Sequence, residues 1–372
     1  MNQHKAKHFI IIAGESSGDI HGAQLIKNLQ NNNPKISFSG LGGPKMIEQG
    51  FVSLAPMERL AVMGFWEVLK NILFFFRLEK LVLKHIDKMQ PNKIILIDYP
   101  GFNLRIAKKI KASIDSKIIY YISPQLWAWK EKRIKIIQKY IDTLIVLFPF
   151  EVDWYKKRNV RVQYFGHPLV ENNFSEKKDL LQKKGGYNIA LCPGSRIQEI
   201  QKHLPILMNL VARARERNMK VTFELFCAPN ISPNFLKKFI KHKEVKINQN
   251  SILQSFKDID FAIVASGTAS LESAITLTPM VVIYKMSYFS WCVTRYFIKT
   301  PFASIINILS DKLVVPELLQ KKLKTDSLLE IIENILKDPK EIQKQQKRLF
   351  DIIEKMNANN VYKKTSLYIA NY

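Results

Sequence analysis

Short apolar runs alternate with segments of helical periodicity along most of the chain. Helices are predicted at 19–30, at 103–112 with Asn103 as N-cap, and from Asp326 to near the end. Continuous apolar strands between helices are typical of a parallel sheet covered on both faces, so we expect an α/β fold. The apolar runs predict strands at 8–13, 93–97, 117–122 and 143–147 in the first half and at 188–192, 221–226, 261–265 and 280–284 in the second half.

This alternation pauses at Gly166–Pro168, and the polar, charged stretch 171–186 that follows is interpreted as a linker. The chain of 372 residues then divides into two similar α/β halves. We predict a first domain over 1–167, a second over 168–340, and a helical segment over 341–372 that packs back on the first domain or on a partner chain. Ligands bind such sheets at the carboxyl ends of the strands, so the loops at those ends are the candidate sites.

Two matched turns follow strands in the second half, at Pro193–Arg196 and at Ser266–Thr268. Each places free backbone N–H groups at a helix start, where anions bind. Arg196 adds a guanidinium that suits a diphosphate, and Glu272 adds a carboxylate that suits a ribose diol. The pair predicts a nucleotide-diphosphate-sugar site rather than a dinucleotide site, because neither turn carries G-x-G-x-x-G. The candidate donor-binding residues are Gly194, Ser195, Arg196, Ser266, Gly267, Thr268 and Glu272.

Polar turns also follow strands in the first half. Gly14–Asp19 can bring backbone and carboxylates close to sugar hydroxyls, or it is a tight strand-to-helix turn with Asp19 near the helix start. Asp98 follows the strand 93–97, where a carboxylate can accept a proton from a substrate hydroxyl or can cap the next turn. The loop Ser123–Lys130 carries two tryptophans, which can flank a sugar ring, anchor acyl chains, or fill the junction with the next helix.

The segment 65–77 is rich in aromatic residues and leads into basic ones. Its apolar positions form two helical stripes and become apolar all round toward the end, which is typical of a helix that is buried or that contacts lipid. Arg77, Lys80 and Lys84 can meet lipid phosphates, so we predict a membrane contact, with core packing as the alternative. The candidate membrane-contact residues are Phe65, Trp66, Leu69, Leu73, Phe74, Phe75 and Phe76.

The formal net charge of +25, from 57 Lys and Arg against 32 Asp and Glu, favours an anionic partner or reflects a lysine-rich composition. No RNP, KH or helix-turn-helix signature occurs, so we expect no nucleic-acid partner. The three cysteines are dispersed and no zinc or Walker motif occurs, which argues against a disulfide framework or a metal cluster and fits a reducing cytosol. No uninterrupted apolar segment reaches transmembrane length.

A series of motifs follows in order along the chain: 13–19 (AGESSGD), 40–46 (GLGGPKM), 60–64 (LAVMG), 97–103 (IDYPGFN), 123–130 (SPQLWAWK), 165–168 (FGHP), 193–196 (PGSR), 265–272 (ASGTASLE) and 279–284 (PMVVIY). Each motif alone is weak, but their joint order and spacing are specific. The chain resembles the lipid-A-disaccharide synthase family, glycosyltransferase family 19, over nearly its whole length. It departs from the family pattern at Gly101, Lys130 and Ile306, none of which removes a group that we assign to the chemistry.

The resemblance implies a GT-B fold, in which two Rossmann-like domains face a cleft, the first binding the acceptor and the second the UDP-sugar. The implied reaction joins UDP-2,3-diacylglucosamine to 2,3-diacylglucosamine 1-phosphate and gives UDP and the β-1,6 lipid A disaccharide 1-phosphate. As a hypothesis, Asp98 is the general base of an inverting transfer, and Glu199 and Asn307 join the donor side. The candidate acceptor-binding residues are Glu15, Ser17, Gly18 and Asp19.

We expect no cofactor and no metal, because a guanidinium and helix termini can offset the charge of the diphosphate. Both substrates carry acyl chains, so we expect peripheral association with the anionic cytoplasmic face of the inner membrane; a homodimer is left open. The nearest rival function is a non-hydrolysing UDP-N-acetylglucosamine 2-epimerase, which also has two Rossmann-like halves. An epimerase turns over UDP-sugar without an acceptor, and that difference separates the two functions.

Overall fold

The computed structural model describes residues 7–57, 60, 72–111, 114–171, 186–240, 245–287, 291, 298 and 300–372. The chain forms two compact units, one of Met1–Pro168 with Ala358–Tyr372 and the other of Leu169–Asn357. Each unit is built around its own parallel sheet. Most of the predicted linker, 171–186, lies outside the described residues.

The sheet of the first unit has seven parallel strands in the order β3-β2-β1-β4-β5-β6-β7. The strands are β1 His8–Ala13, β2 Ser37–Leu41, β3 Val52–Ser53, β4 Lys93–Ile97, β5 Lys117–Tyr121, β6 Thr143–Val146 and β7 Val162–Tyr164. The order reverses between β1 and β4, where Ala13 lies opposite Ile97. Such a reversal leaves a crevice at the carboxyl ends of the two strands, and doubly wound sheets bind their ligands there.

The sheet of the second unit has six parallel strands in the order β10-β9-β8-β11-β12-β13. The strands are β8 Tyr187–Cys192, β9 Val221–Phe226, β10 Lys246–Asn248, β11 Phe261–Ala265, β12 Met280–Tyr284 and β13 Glu317–Leu319. Its order reverses between β8 and β11, where Cys192 lies opposite Val264. The two sheets follow the same winding, which confirms the predicted α/β fold with two Rossmann-like domains.

Helices cover both faces of the first sheet because both faces of its central strands are apolar. In β1, Ile10 and Ile12 enter one core cluster, whereas Phe9 and Ile11 enter another, as alternate side chains of a strand must. The helices of the described residues are α1 Ser16–Asn32, α2 Pro44–Ile47, α3 Ile72–Met89, α4 Pro100–Ile110, α5 Ile134–Tyr140, α6 Pro149–Lys156, α7 Pro168–Glu171, α8 Ile197–Glu216, α9 Pro233–Lys237, α10 Ile252–Ser255, α11 Thr268–Ile275, α12 Ile305–Ser310, α13 Thr325–Lys337, α14 Pro339–Glu354 and α15 Val361–Asn371.

The eight predicted strands begin and end within one residue of their predicted bounds, whereas β2, β3, β7, β10 and β13 were not predicted. Two helix starts were wrong: α1 begins at Ser16, three residues before the predicted start at 19, and α4 begins three residues before the predicted start at 103. Helix α4 begins at Pro100, where the ring of proline is already suited to the first turn, so Asn103 lies inside the helix and is not its N-cap.

The helical segment predicted over 341–372 divides between the two units. Helix α14 belongs to the second unit, whereas α15 belongs to the first and packs on α1. Two polar contacts hold α15 in place: Lys93 Nζ donates to the carbonyls of Ile369 and Ala370 at the end of the helix, and His21 Nδ1 lies 2.9 Å from the Tyr362 hydroxyl. A cation at a helix C-terminus satisfies carbonyls that have no partner within the helix.

We expect the free energy of unfolding to fall between pH 6.5 and 4. Burial lowers the pKa of His21 from 6.5 to about 4, and burial with a smaller contribution from His21 lowers the pKa of His167 to about 3. This stability is complete above pH 6.5 and is lost as the pH falls through 4, because the unfolded chain then binds protons that the fold excludes. Each such proton corresponds to about 1.4 kcal/mol per pH unit.

Denaturant titrations at pH 7 and pH 5 measure this effect. The substitution His21→Asn should reduce the difference in unfolding free energy between the two pH values, because one titrating group is gone. An unchanged difference would contradict the prediction.

Candidate active site

The crevice of the first sheet is formed by the turns that follow β1 and β4. After β4, Asp98 and Tyr99 both have left-handed backbone, with φ of 44° and 50°. Each such residue costs about 1–2 kcal/mol when it is not glycine. Hydrogen bonds hold the strained turn: the Asp98 N–H donates to Tyr121 O at 3.0 Å, and the Asp98 carbonyl accepts from Asn103 and Tyr120. The Asp98 backbone is therefore tightly held at the end of its strand.

The acidity of Asp98 suits a base that works near neutral pH. Burial and, to a smaller extent, the Glu15 carboxylate raise the pKa of Asp98 from 3.8 to about 7, against a lowering by the hydrogen bond from the Tyr99 N–H. A general base is most effective when its pKa lies near the working pH. Glu15, a predicted acceptor residue, thus lies within electrostatic range of the predicted base.

Two glycines of the first turn are needed for close packing. A Cβ added at Gly14 would lie 2.4 Å from the Tyr99 ring, whose hydroxyl donates to Leu60 O at 3.1 Å. A Cβ added at Gly18 would lie 3.2 Å from the Ala13 Cβ, because α1 crosses close to the end of β1. Gly18 is thus a packing residue, whereas Ser17, which precedes it, is exposed in the first turn of α1.

Asp19, a predicted acceptor-binding residue, has a structural role at the start of α2. Asp19 is buried, and its Oδ1 accepts from the N–H groups of Gly43 and Met46 at 2.9 and 3.0 Å, while its Oδ2 accepts from the Lys45 N–H at 3.0 Å. These are the unsatisfied N–H groups at the start of α2. Asp19 therefore fixes the loop 40–46 to α1, and its carboxylate is committed to backbone donors.

A buried carboxylate that was not predicted organises the tryptophan loop. Glu151 accepts from the Ser123 hydroxyl at 2.6 Å, from Trp127 Nε1 at 3.1 Å and from the Phe148 N–H at 3.1 Å. Burial raises the pKa of Glu151, and these donors oppose that shift. Trp127 is consequently buried, whereas Trp129 is exposed and lies under the Lys130 ammonium at 4.3 Å. Glu151 lies 28 residues after Ser123, so no local motif could reveal the pair.

The first predicted donor turn of the second unit follows β8. Gly194 has a φ of 119°, and a Cβ there would lie 2.6 Å from Glu199 Oε2, so only glycine fits. Arg196 Nη1 donates to Glu199 Oε1 at 2.8 Å; the Arg196 side chain is 55% exposed and that of Glu199 is 10% exposed. Glu199 is thus placed to orient the guanidinium, and Ser195 is exposed beside it.

The second predicted donor turn lies beside the first. The Cβ of Ala265, at the end of β11, is 3.5 Å from the position of a Cβ at Gly194. Gly267 and Thr268 are exposed at the start of α11, whereas the Ser266 hydroxyl donates to Ala303 O at 2.7 Å. The structure therefore brings together the two turns that the sequence paired, at the reversal point of the sheet.

Glu272 is partly buried one turn into α11. Burial raises the pKa of Glu272 from 4.5 to about 7. A carboxylate with an altered pKa in a crevice of this kind is a candidate functional group, and hydroxyls of a ligand can hydrogen-bond to it.

Asn307, a predicted donor-side residue, has a structural role in the loop before β13. Asn307 is fully buried; its Nδ2 donates to Val315 O and Glu317 Oε1, and its Oδ1 accepts from the N–H groups of Val314 and Val315, all within 2.7–2.9 Å. Its amide is therefore fully used in holding the loop before β13.

His203 was missed by the sequence analysis. Its Nδ1 lies 2.7 Å from Pro193 O, and its Nε2 accepts from the Lys285 N–H at 2.8 Å, so the ring is neutral with the proton on Nδ1. Burial is the main cause of its lowered pKa. His203 joins the start of the arginine turn to the end of β12, and its spacing of four residues from Glu199 on α8 was the available signal.

A family model described as Lipid-A-disaccharide synthetase matches residues 9–370. The chain belongs to the lipid-A-disaccharide synthetase family. Lipid-A-disaccharide synthase 1 of Legionella pneumophila (strain Philadelphia 1) is 37% identical over 362 residues, which covers 95% of this chain and 94% of the relative. Lipid-A-disaccharide synthase of Geobacter sulfurreducens is 34% identical over 366 residues, covering 96% and 95%. As a member of the lipid-A-disaccharide synthetase family, the chain is a hexosyltransferase of lipid A biosynthesis.

Solved structures with a similar fold include several sugar-nucleotide enzymes. Spinosyn rhamnosyltransferase SpnG complexed with thymidine diphosphate has a TM-score of 0.62 at 10% identity and covers 98% of this chain and 100% of its own. UDP-GlcNAc 2-epimerase from Neisseria meningitidis has a TM-score of 0.61 at 10% identity, covering 98% of both chains. These likenesses show the fold alone and confirm the GT-B class. The fold does not separate the synthetase family from the rival epimerase; the family match does.

The aromatic helix of this family member is only partly described. Phe65, Trp66 and Leu69 lie outside the described residues. Within α3, Leu73 and Phe76 are 68% and 52% exposed, whereas Phe75 is 8% exposed and belongs to a core cluster, against which Phe74 packs. Membrane contact is therefore wrong for Phe75, which the period of the helix turns inward. Among the described helices, none combines the length and the hydropathy that spanning a bilayer requires.

Proposed function

We propose that the chain transfers the diacylglucosaminyl group of UDP-2,3-diacylglucosamine to the 6-hydroxyl of 2,3-diacylglucosamine 1-phosphate, with inversion at C1. The observation that carries this proposal is Asp98: a strained residue at the reversal point of the first sheet, with a pKa raised to about 7, in a member of the lipid-A-disaccharide synthetase family. The products are UDP and a β-1,6 disaccharide 1-phosphate.

Asp98 takes the proton from the 6-hydroxyl of the acceptor sugar while the oxygen of that hydroxyl forms the new bond to C1 of the donor sugar. The bond from C1 to the diphosphate oxygen breaks at the same time, and the bonding electrons leave with UDP. Glu15, within electrostatic range of Asp98, and Ser17, exposed in the first turn of α1, provide acceptors and a donor for the hydroxyls of the sugar. The negative charge of Glu15 also keeps Asp98 basic enough to take the proton.

Hydrogen-bond donors of the two candidate donor turns, at 193–196 and 266–268, stabilise the negative charge that develops on the departing UDP. The guanidinium of Arg196, held by Glu199, forms charge-assisted hydrogen bonds with the diphosphate. Backbone N–H groups at Gly194 and at the start of α11, with the hydroxyls of Ser195 and Thr268, add preorganised donors. Glu272 accepts hydrogen bonds from the ribose hydroxyls. A negative leaving group needs these donors most in the transition state, so they contribute to rate as well as to affinity.

Product analysis tests the proposal. The purified protein is incubated with UDP-diacylglucosamine, with and without diacylglucosamine 1-phosphate, and the products are identified by mass spectrometry. We expect the disaccharide 1-phosphate and UDP only when both sugars are present. A new UDP-sugar formed without the acceptor would instead identify an epimerase, and absence of the disaccharide would reject the proposed transfer.

Both proposed substrates carry acyl chains and therefore lie in a membrane. We propose that the exposed face of α3 binds the anionic surface of that membrane. Ile72, Leu73, Phe76 and Leu81 are exposed apolar side chains of this helix. The basic side chain of Arg105 lies 5.2 Å from the Phe76 ring. Apolar side chains beside cations are the combination that lets a helix lie in the interface of an anionic bilayer.

We expect Phe76→Asp to weaken binding to vesicles that contain anionic lipid while leaving thermal stability almost unchanged, because this side chain is 52% exposed. Phe75→Asp should instead unfold the first unit, since it places a carboxylate in the core. Vesicle sedimentation and thermal melts measure the two effects. Val52→Asp is the matched control, an exposed apolar position of the same unit on β3, and should change neither. Equal vesicle binding by Phe76→Asp and the parent would contradict the prediction.

A further inference from the structure

Asn103 is a fully buried amide beneath the turn that carries Asp98. Its Nδ2 lies 3.3 Å from Ile12 O, 3.2 Å from Ile97 O and 2.7 Å from Asp98 O. The first two carbonyls belong to the ends of β1 and β4, the paired strands between which the order of the sheet reverses, and the third belongs to the turn itself. The amide oxygen is buried and has no hydrogen-bond partner among the described residues, so the polar contacts that hold this side chain are those of its nitrogen with the backbone around Asp98.

Tyr120 holds the same carbonyl from another element. Its ring is fully buried in β5, and its hydroxyl donates to Asp98 O at 2.6 Å. Because the Asp98 N–H donates to Tyr121 O at 3.0 Å, both backbone polar groups of Asp98 are fastened. The carbonyl of one partly exposed residue thus receives two side-chain hydrogen bonds, from α4 and from β5.

These bonds oppose a relaxation that the backbone would otherwise make. Asp98 and Tyr99 are consecutive non-glycine residues with positive φ, a conformation that persists only when its surroundings determine it. A change in φ or ψ at this turn would swing the Asp98 side chain. A displacement of about 1 Å at a reacting group can cost on the order of 10²-fold in rate.

We propose that Asn103 and Tyr120 are positioning residues of the transfer reaction, which hold the Asp98 carbonyl and thereby set the direction of its carboxylate. The inference rests on the proposed function of Asp98 as the base. Neither side chain touches substrate; both act through the backbone of the turn.

The first test compares Tyr120→Phe and Asn103→Ala with the parent enzyme in steady-state kinetics on both substrates. Tyr120→Phe removes one hydroxyl and keeps the ring, so the fold is retained, and kcat should fall about tenfold. Asn103→Ala removes the amide that spans all three carbonyls, and kcat should fall on the order of 10²-fold. The KM for the UDP-sugar should not change. Tyr372→Phe is the matched control, because its hydroxyl donates to Asp142 O at 2.8 Å away from the crevice, and it should keep full activity.

A double-mutant cycle separates positioning from a general structural effect. In the Asp98→Asn background, Tyr120→Phe should cost little further rate, because the group that it positions no longer accepts a proton. A full tenfold loss in that background would overturn the inference. Full turnover by Asp98→Asn alone would overturn the proposed function instead, so the two failures are distinct.

The pH profile gives an independent readout. In Tyr120→Phe the midpoint of the acid limb of kcat/KM should move to lower pH, because a released carboxylate is better solvated. A smaller amount of folded enzyme lowers the height of the profile and leaves its midpoint in place. If the kcat/KM profile of Tyr120→Phe were lower but had the same midpoint as that of the parent, Tyr120 would not be a positioning residue. This result would hold even if Asn103→Ala failed to fold.

Discussion

Replacing Asp98 with Asn should lower kcat by on the order of 10²–10⁴, the usual cost of losing a general base. Asparagine is nearly isosteric and is one of the few residues that tolerate left-handed backbone, so the turn at φ 44° should persist. The affinity for the UDP-sugar should barely change, because Asp98 lies in the first unit and the donor turns lie in the second. Steady-state kinetics and calorimetric binding of the donor measure the two quantities. Near-normal turnover would remove Asp98 from the mechanism.

The pH dependence of kcat/KM in the parent enzyme provides a second test of Asp98 as the base. Because burial and Glu15 raise the pKa of Asp98 to about 7, kcat/KM should fall about tenfold per pH unit below that value as the carboxylate is protonated. Glu272 also has a pKa raised to about 7, so its effect on the pH profile must be distinguished from that of Asp98. The acid limb should remain in Glu272→Gln if Asp98 is responsible.

Asp98→Asn should raise the free energy of unfolding at high pH although it lowers the activity. A carboxyl whose pKa is raised on folding contributes stability below its unfolded pKa and loses it as the pH rises through the folded value. Asp98→Asn should therefore be more resistant to denaturant than the parent at pH 8 and equal to it at pH 4. A variant that is more stable and much slower would show that the loss of rate is chemical and not a consequence of unfolding.

Replacing Arg196 with Ala should raise the KM for the UDP-sugar and lower kcat by on the order of 10²–10³, as expected for a charged donor that meets developing negative charge. Arg196→Lys should recover only part of the rate, because an ammonium lacks the planar fork that grips a diphosphate. The loss should appear in both KM and kcat, since in the proposed reaction the guanidinium contacts the diphosphate before and during its departure.

Arg213→Ala is the matched control for Arg196. Arg213 lies on α8, the helix for which Arg196 is the N-cap residue, and pairs with Asp326 in the second unit, so its loss should leave both kinetic constants unchanged. If Arg196→Ala shifted only the melting temperature, the guanidinium would be a structural partner of Glu199 and the assigned donor site would be wrong.

The central fold could be predicted because its signals are local. A fully buried parallel strand such as 261–265 must be apolar throughout, and its bounds followed from that run alone. The two candidate donor turns could be paired for the same reason: each follows a strand end, and parallel strand ends meet at one edge of the sheet. Short outer strands such as Val52–Ser53 are too brief to show a period, and these were missed.

What the sequence did not show shares a physical cause. Asp19 and Asn307 are polar residues near the expected site, and the sequence does not show that Asp19 accepts from backbone N–H groups of the loop 43–46 or that Asn307 bonds to residues 314–317. The partners of Asp19 lie 24 to 27 residues further along the chain. Phe75 and Phe76 differ only in which side of α3 they occupy, and that follows from where the helix packs. Burial and hydrogen-bond partners are thus properties of the tertiary structure, not of the residue type.

Helix α15 has a consequence for how the protein is made. Because the first unit ends with residues 358–372, a ribosome must synthesise the entire second unit before the first can close its structure. Until then Lys93 lacks its two carbonyl acceptors and His21 lacks the Tyr362 hydroxyl. A fragment cut at 168 would remain in that unfinished state, whereas a circular permutant that joins 358–372 to the front of the chain would let the unit fold as soon as it emerges.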